Sequence, residues 1–375
     1  MVRLGAVGDV ARTLPAVSLV RAAWPGAQLA WLVEPAAASL LAGQPGIDEV
    51  IVFPRPGVPG AWRSAGAWRE VARCVRRLRA RRFDLVVDFH ALLRSALLAF
   101  ASGARRRVSY APPFAREGAW LLATDRARLA PERISRFDRN DGLARYLGLE
   151  GRPAPRPLAV DPAARAAFRE RLGPGPAPVA IHAGTSSGAA RKRFPAPLLG
   201  RVARALADAH GVVAIATRGP GRDDERLAAE LVAASGGAAR LAPPTPGLGD
   251  LAALLACARL AIGPDTGPLH VAALVGTPVV QLLGPTDPVE NATWPGVPAR
   301  AVRARGSEAG DAESGDRAAP GHDPRDVDAA LLARIVAAAG ELLAATAAAR
   351  APQPLGASGA AARAPQPLAA SGAAA

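Results

Sequence analysis

Residues 260–288 read LAIGPDTGPLHVAALVGTPVVQLLGPTDP. Leu260–Gly263 has the length and apolar character of a buried strand, and Pro278–Leu283 repeats it. Between them Thr266–Val275 is long enough for a helix, opened by Gly267 and Pro268. Strand, helix and strand in so short a stretch make a βαβ unit, which needs a parallel sheet and a right-handed crossover. The same alternation extends upstream through strand Val179–His182, helix Leu198–His210, strand Val212–Thr217, helix Asp223–Ser235 and helix Leu251–Cys257.

An earlier series of the same kind opens the chain. Met1–Gly8 reads as a strand, with Asp9 at the turn into a helix that runs past Leu14; strands Gln28–Glu34, Asp48–Phe53 and Phe83–Asp88 follow. Helix Trp68–Arg82 puts Val71, Val75 and Leu78 on one face, and helix Leu92–Phe100 follows the fourth strand. The chain therefore divides into an α/β domain at 1–150, a Pro- and Gly-rich linker at 151–176 and a second α/β domain at 177–345. Within the second, 304–324 reads as a mobile polar loop and Asp326–Leu343 as a closing amphipathic helix. Residues 346–375 carry a near-repeat, ARAPQPLGASG then ARAPQPLAASG, too poor in large apolar residues to order itself.

With 375 residues and 50% hydrophobic content the chain can fill two cores. No secretory leader is expected, and no apolar run long enough to span a bilayer. Cys74 and Cys257 sit in helical patterns and read as buried thiols of a reducing compartment, so the protein is expected to be soluble and cytoplasmic. Net charge is +14, and Lys192 is the single lysine among 46 basic residues. That balance is either arginine used generally for surface charge or attraction to an acidic partner: nucleic acid, an anionic membrane face or a phosphorylated substrate. Nucleic acid is disfavoured, because aromatics are 4% and no stacking motif accompanies the arginines.

Four constellations carry chemistry. Gly5-Ala6-Val7-Gly8-Asp9-Val10 sets a carboxylate behind a tight turn, where Asp9 is a catalyst or simply an N-cap. His182-Ala183-Gly184-Thr185-Ser186-Ser187-Gly188 followed by Lys192-Arg193-Phe194-Pro195 suits a diphosphate: hydroxyls and amides donate and the ammonium neutralises. Gly263-Pro264-Asp265-Thr266-Gly267-Pro268-Leu269-His270 is a strand-to-helix junction with an anion-binding helix start, Gly267, Leu269 and His270 supplying amides; Asp265 or Thr266 could equally cap the helix. Gly284-Pro285-Thr286-Asp287-Pro288 reads as a rigid turn. Asp223-Asp224-Glu225 opens a helix, as a ribose contact or an ordinary N-terminal charge pattern.

Together these blocks resemble glycosyltransferase family 9. The resemblance rests on GD-V at Gly8–Val10, D-x-x-x-LLRSA at Asp88–Ala96, K-x-F-P at Lys192–Pro195, D-T-G-P-L-H at Asp265–His270 and G-P-T-x-P at Gly284–Pro288. It covers about residues 1–340. Arg94 stands where the family often has Lys, the first strand is shorter than usual, and the family's Cys-containing C-terminal loop is replaced by 304–324.

The resemblance implies a GT-B architecture, two Rossmann-like doubly wound α/β domains facing a central cleft, with acceptor on the N-terminal side and donor on the C-terminal side. It implies an inverting, metal-independent transfer of heptose from ADP-heptose to a phosphorylated lipid A–Kdo acceptor at the inner membrane, with no cofactor. The only Asp-x-Asp pair, Asp326 and Asp328, opens a helix. Asp9 would be general base and Lys192 would stabilise the leaving diphosphate. Thr185, Ser186, Asp224, Asp265, Thr266, Gly267, Leu269 and His270 would bind the donor, Asp265 through sugar hydroxyls. Thr13, Arg63 and Arg116 would bind the acceptor, with Arg55 and Arg69 as further candidates. Three rivals stand beside it: a family member using another sugar or acceptor, a silent sugar-nucleotide-binding protein, and a nicotinamide dehydrogenase. The last lacks a Gly-x-Gly-x-x-Gly after the first strand.

Overall fold

The computed structural model describes residues 1–54, 64–130, 133–154, 156–219, 221–304 and 324–350. Arg55, Arg63, nearly all of the expected loop at 304–324 and most of the expected tail lie outside the described residues.

The N-terminal sheet is organised by its first four residues. The Met1–Leu4 segment bonds on one side to β1 (Ala30–Val33) and on the other to β3 (Leu85–Val87): Val2 N donates to Val87 O at 2.8 Å and Leu32 N to Met1 O at 2.9 Å. It thereby joins the parallel pair β1–β2 (Glu49–Val52) to the parallel set β3, β4 (Arg106–Tyr110) and β5 (Asp125–Ala127). The resulting order is β2, β1, Met1–Leu4, β3, β4, β5, the doubly wound arrangement.

The expected strand at Met1–Gly8 is cut short at Leu4. Val7, Val10, Ala11 and Leu14 have the spacing of a helix face, and α1 (Val7–Ala11) followed by α2 (Leu14–Ala23) buries Val10, Ala11 and Leu14. Asp9 therefore sits inside α1 rather than at the turn before it. One face of this sheet is covered by α4 (Ala65–Ala80) and α5 (Leu93–Ala101), through Cys74, Leu78, Leu98 and Ala99. The other is covered by α2 and α6 (Arg136–Tyr146), through Leu19, Val20 and Leu143. β4, β5 and α6, together with α3 (Pro35–Leu41), were not anticipated; Arg106–Tyr110 opens with two arginines and masks its own apolar pattern.

The C-terminal sheet has six parallel strands in the order β11, β10, β9, β6, β7, β8, built from β6 (Val179–His182), β7 (Ala214–Thr217), β8 (Ala239–Leu241), β9 (Leu260–Pro264), β10 (Val279–Leu283) and β11 (Ala299–Arg303). It is the same doubly wound order, with the switch point between β6 and β9. Gly263 is needed there, since a Cβ would come within 2.8 Å of His182 O on the neighbouring strand. α8 (Ala196–His210), α9 (Arg222–Ala234), α10 (Leu248–Leu255) and α11 (Gly267–Leu274) supply the flanking layers.

The segment expected as linker carries α7 (Pro162–Leu172), which packs on α10 and buries Phe168; Leu158 is buried in the same cluster. That cluster also takes Val10, Ala11 and Leu14 of the first domain and Leu269, Ala272 and Ala273 of the second, so the domains share apolar core along α1 and α11. The closing helix α12 runs from Pro324 to Arg350, beyond both ends expected for it and into the expected tail. Among the described residues Ala329–Ala347 is long and apolar enough, by length and composition, to cross a membrane, contrary to the expectation of no such run. Alanine carries that length past Arg334 and Glu341, and Ile335, Ala339, Leu342 and Leu343 are buried in the C-terminal core. The whole is an α/β fold of two Rossmann-like domains facing one cleft, the GT-B architecture.

Candidate active site

The first turn of α1 carries Asp9 to the mouth of a cavity of about 460 Å³. The cavity lies at the C-terminal edge of the N-terminal sheet, beside its switch point, where open α/β folds bind ligands. Arg3, Arg94, Arg116, Arg136 and Arg139 line it, with His90, Phe114 and Tyr110. The turn beneath is fixed by buried Asp88, whose carboxylate accepts from the amides of His90 (2.9 Å) and Ala91 (3.1 Å) and from Ser95 Oγ (2.8 Å). The D-x-x-x-LLRSA stretch is thus a scaffold for the cavity wall. Burial pushes the Asp88 carboxyl up to about 6, against those hydrogen bonds.

Asp9 is held by three arginines. Its carboxylate contacts Arg3 at 2.7 Å, Arg136 at 2.8 Å and Arg12 at 3.4 Å. Desolvation alone would raise its pKa; the three guanidinium charges outweigh it and hold the carboxyl far below the usual carboxylate range.

Arg12 reaches across to the second domain, where its Nη2 donates to Asp265 Oδ1 at 3.0 Å. Asp265 stands at the end of β9 and is almost wholly buried. Its Oδ2 accepts from Lys192 Nζ at 2.7 Å; its Oδ1 also lies 3.0 Å from His270 Nε2 and accepts from Gln281 Nε2 at 3.2 Å. These partners keep the Asp265 carboxyl ionised, well below its ordinary range despite burial. His270 is buried, stacks edge-on with Phe137 at 6.3 Å, and is pushed down to about 4 by desolvation and by Arg12, so it is neutral at pH 7. Gly8 and Gly267 let α1 and α11 meet: a Cβ on Gly8 would lie 3.3 Å from Gly267 Cα, and one on Gly267 would lie 3.1 Å from Val7 Cγ1.

The second domain's loops bring together most of the donor candidates. Thr185 is buried and its hydroxyl accepts from Arg193 Nε at 2.9 Å, while Ser186 is exposed. Asp224, on the first turn of α9, sits between Gly184 and Gly219, and a Cβ on either glycine would overlap its carboxylate. Its Oδ1 is buried without a hydrogen-bond partner, and desolvation raises its pKa. Thr266 is half-buried and its hydroxyl donates to Pro264 O at 3.2 Å.

Several expected roles change. Thr13 is fully buried: its hydroxyl donates to Asp9 O at 2.9 Å and accepts from Asn140 Nδ2 at 3.2 Å, so it locks the α1–α2 junction and offers no group to an acceptor. The amides of Leu269 and His270 donate to Thr266 O, which leaves Gly267 of the three expected amide donors. Leu269 itself is core. Both oxygens of Asp265 are engaged by protein groups, Oδ1 by Arg12, His270 and Gln281 and Oδ2 by Lys192. Arg116 lines the cavity; Arg69 lies on α4, outside its lining. Arg3, Arg12, Arg136, Arg139 and Gln281 were missed. Only Arg12 left a signal, one helical turn after Asp9.

The sequence matches the model of glycosyltransferase family 9 (heptosyltransferase) over residues 71–316. The chain belongs to glycosyltransferase family 9. Among curated relatives of this family, lipopolysaccharide heptosyltransferase 1 of Pseudomonas aeruginosa is 30% identical over 303 residues, covering 77% of this chain and 79% of that protein. The lipopolysaccharide core heptosyltransferase OpsX of Haemophilus influenzae is 23% identical over 296 residues, covering 78% and 81%. In fold, the chain is similar to a family 9 glycosyltransferase of Veillonella parvula, with TM-score 0.71 at 20% identity over 92% of this chain and 96% of that one. It is also similar to E. coli heptosyltransferase WaaC with ADP, with TM-score 0.67 at 24% identity over 80% and 92%. As a family 9 member the protein is a glycosyltransferase.

Proposed function

We propose that the protein transfers a heptosyl group from ADP-heptose to the Kdo/heptose inner core of lipopolysaccharide, with inversion and without a metal ion. Residues 1–150 would bind the acceptor and 177–345 the donor. The carrying observation is the line of charge through the cleft: Asp9 at the arginine-lined cavity, Arg12, then Asp265 with Lys192 on the donor side. It runs from the proposed acceptor side to the proposed donor side, and the heptose and lipopolysaccharide in the names of the relatives support the choice of substrates.

In this reading an acceptor hydroxyl attacks the anomeric carbon while the bond to the diphosphate breaks, its electron pair leaving with the phosphate oxygen. Asp9 takes the hydroxyl proton. A carboxylate facing three guanidinium groups is a weak base, so basicity must rise when the acceptor binds. The acceptor's own anionic groups would do this by drawing Arg3 and Arg136 onto themselves. On the donor side Lys192, Arg193, the Thr185 and Ser186 hydroxyls and the start of α11 at Thr266 and Gly267 neutralise the departing diphosphate. Protein cations thus take the place a metal would fill. Asp265 and His270 become positioning residues that hold Lys192 and Arg12 in place. The unpartnered Oδ1 of Asp224 accepts from a ribose hydroxyl. The enzyme would work on the cytoplasmic face of the inner membrane, where a lipid-borne acceptor is presented.

ADP release from ADP-heptose with a Kdo–lipid A acceptor tests this directly, for wild type and Asp9→Ala. Loss of about 10²–10⁴ in kcat with unchanged donor affinity is expected of a general base. A wild type that turns over no heptose, yet binds another sugar nucleotide tightly, would refute the heptose assignment.

A further inference from the structure

The outer layer of the first domain carries an apolar stripe that the catalytic reading leaves unused. On α5, Leu93, Leu97 and Phe100 follow i, i+4, i+7 spacing and are 42%, 50% and 55% exposed. The opposite face of the same helix, with Ser95, Ala96, Leu98 and Ala99, is buried against the sheet. Leu121, 69% exposed, extends the stripe from the short 3₁₀ turn Ala119–Leu122, which packs on α5. Scattered exposed apolar residues are ordinary; four large ones on one helix face and its contacting turn form a patch.

The surroundings of the patch are cationic. Beside α5 on the same face of the sheet lies α4, with five arginines against one glutamate in Ala65–Ala80. Arg69, Arg73 and Arg76 repeat the i, i+4, i+7 spacing and are exposed, so a stripe of guanidinium groups borders the stripe of apolar side chains. Arg105 and Arg106 are exposed beyond the C-terminal end of α5, and the Arg107 guanidinium stands 5.3 Å from the Phe100 ring centroid. Large apolar side chains within a field of arginines match the boundary of an anionic bilayer, where the apolar groups enter the acyl edge and the guanidinium groups meet phosphates. Position favours the same occupant. Leu92, Arg94 and Arg116 line the Asp9 cavity, and Leu92 is the N-cap of α5, so the patch begins where the cavity wall ends.

We propose that the α5 stripe, with Leu121 and the flanking arginines of α4, is a docking surface for an anionic lipid bilayer that sets the Asp9 cavity beside the membrane plane. The choice of occupant rests on the lipid-borne acceptor proposed above; the surface itself rests on exposure and charge. α12, a longer apolar helix, packs Ile335, Ala339, Leu342 and Leu343 into the C-terminal core.

The test is co-sedimentation of the full chain with vesicles of phosphatidylethanolamine and phosphatidylglycerol, against vesicles of phosphatidylcholine alone. Wild type is expected to partition to the first and not the second. Leu97→Ser combined with Phe100→Ser should weaken that partition by about tenfold or more, since each removes several buried methylene equivalents. Arg69→Gln, Arg73→Gln and Arg76→Gln together should weaken it by about a hundredfold at low salt. Leu97 and Phe100 lie outside the cavity lining, so the double variant should keep wild-type turnover of a deacylated, water-soluble acceptor and lose turnover of the same acceptor embedded in vesicles. Vesicle binding that is lost in the variants while no acceptor is turned over would uphold the surface and sink the transfer reading. Equal vesicle binding by wild type and both variants would overturn the surface, as would a patch-dependent dimer in sedimentation velocity with no vesicle binding.

Discussion

Replacing Asp265 by Asn and Arg12 by Met, singly and together, probes the ionic link between the domains. Both side chains are almost fully buried, at 2% and 4% exposure, and meet at 3.0 Å. Breaking a buried pair by removing one partner typically costs about 3–5 kcal/mol, because the other charge is left desolvated. In Asp265→Asn, Arg12 keeps Asp9 at 3.4 Å, and in Arg12→Met, Asp265 keeps Lys192 at 2.7 Å, so each single cost should fall near the lower end. Neutral His270 gives Arg12 no charge compensation. The double variant removes both charges at once and should cost less than the two singles combined, with a coupling energy of about 2–3 kcal/mol. Urea unfolding of the four proteins measures the cycle. Additivity within about 0.5 kcal/mol would refute the link as an energetic unit. The Asp265→Asn enzyme should also lose about tenfold to a hundredfold in kcat, since Lys192 is released from the position proposed for the leaving diphosphate.

Gly184→Ala should push the Asp224 carboxylate out of its seat and weaken ADP binding by about tenfold, measured by titration calorimetry, as expected for one lost charge-assisted hydrogen bond; unchanged affinity would remove Asp224 from the ribose role. His182, buried and 3.1 Å from Thr217 Oγ1, has its pKa pushed down by burial from 6.5 to about 4. The unfolded chain therefore takes up that proton first as pH falls. The resulting stability is present in full above about pH 6.5, is lost toward pH 4, and amounts to about 3 kcal/mol. His182→Gln should make the stability profile shallower across that window by its own share, with His90 and His270, also pushed down to about 4, still contributing, and an unchanged slope would rule His182 out as a source. Asp88 acts with the opposite sign: its folded pKa is raised from 3.8 to about 6, so its cost appears as pH rises through that window.

The elements legible in the sequence are those whose information is local. Strand β9, the DTGPLH turn, α11 and β10 follow one another within a single βαβ unit, and apolar runs punctuated by Gly and Pro specify them without reference to the rest of the chain. The same locality drew attention to Asp9 and Asp224, on the first turns of α1 and α9, and to Lys192, which closes the short 3₁₀ stretch Ser187–Lys192. Where one pattern served two structures, the reading failed: Val7, Val10, Ala11 and Leu14 extend an apolar run and are also a helix face, and burial against α11 decides for the helix.

What each side chain does depended on contacts between distant parts of the chain. Asp265 meets Arg12 across 253 residues and Lys192 across 73, and Asp9 meets Arg136 across 127. Nothing in composition or spacing singles out Arg3 or Arg136 among dozens of arginines, because a guanidinium has the same local signature on a wet surface and in a buried ion pair. The sequence by itself determined two doubly wound domains and the loops that face each other. Only the tertiary structure decided that Asp265 spends its charge on Lys192 and Arg12, that Thr13 is locked in the core, and that Asp9 is restrained by three cations. Electrostatic energy at low dielectric depends on distances of a few ångströms, and those exist only once the two domains have closed on a common core.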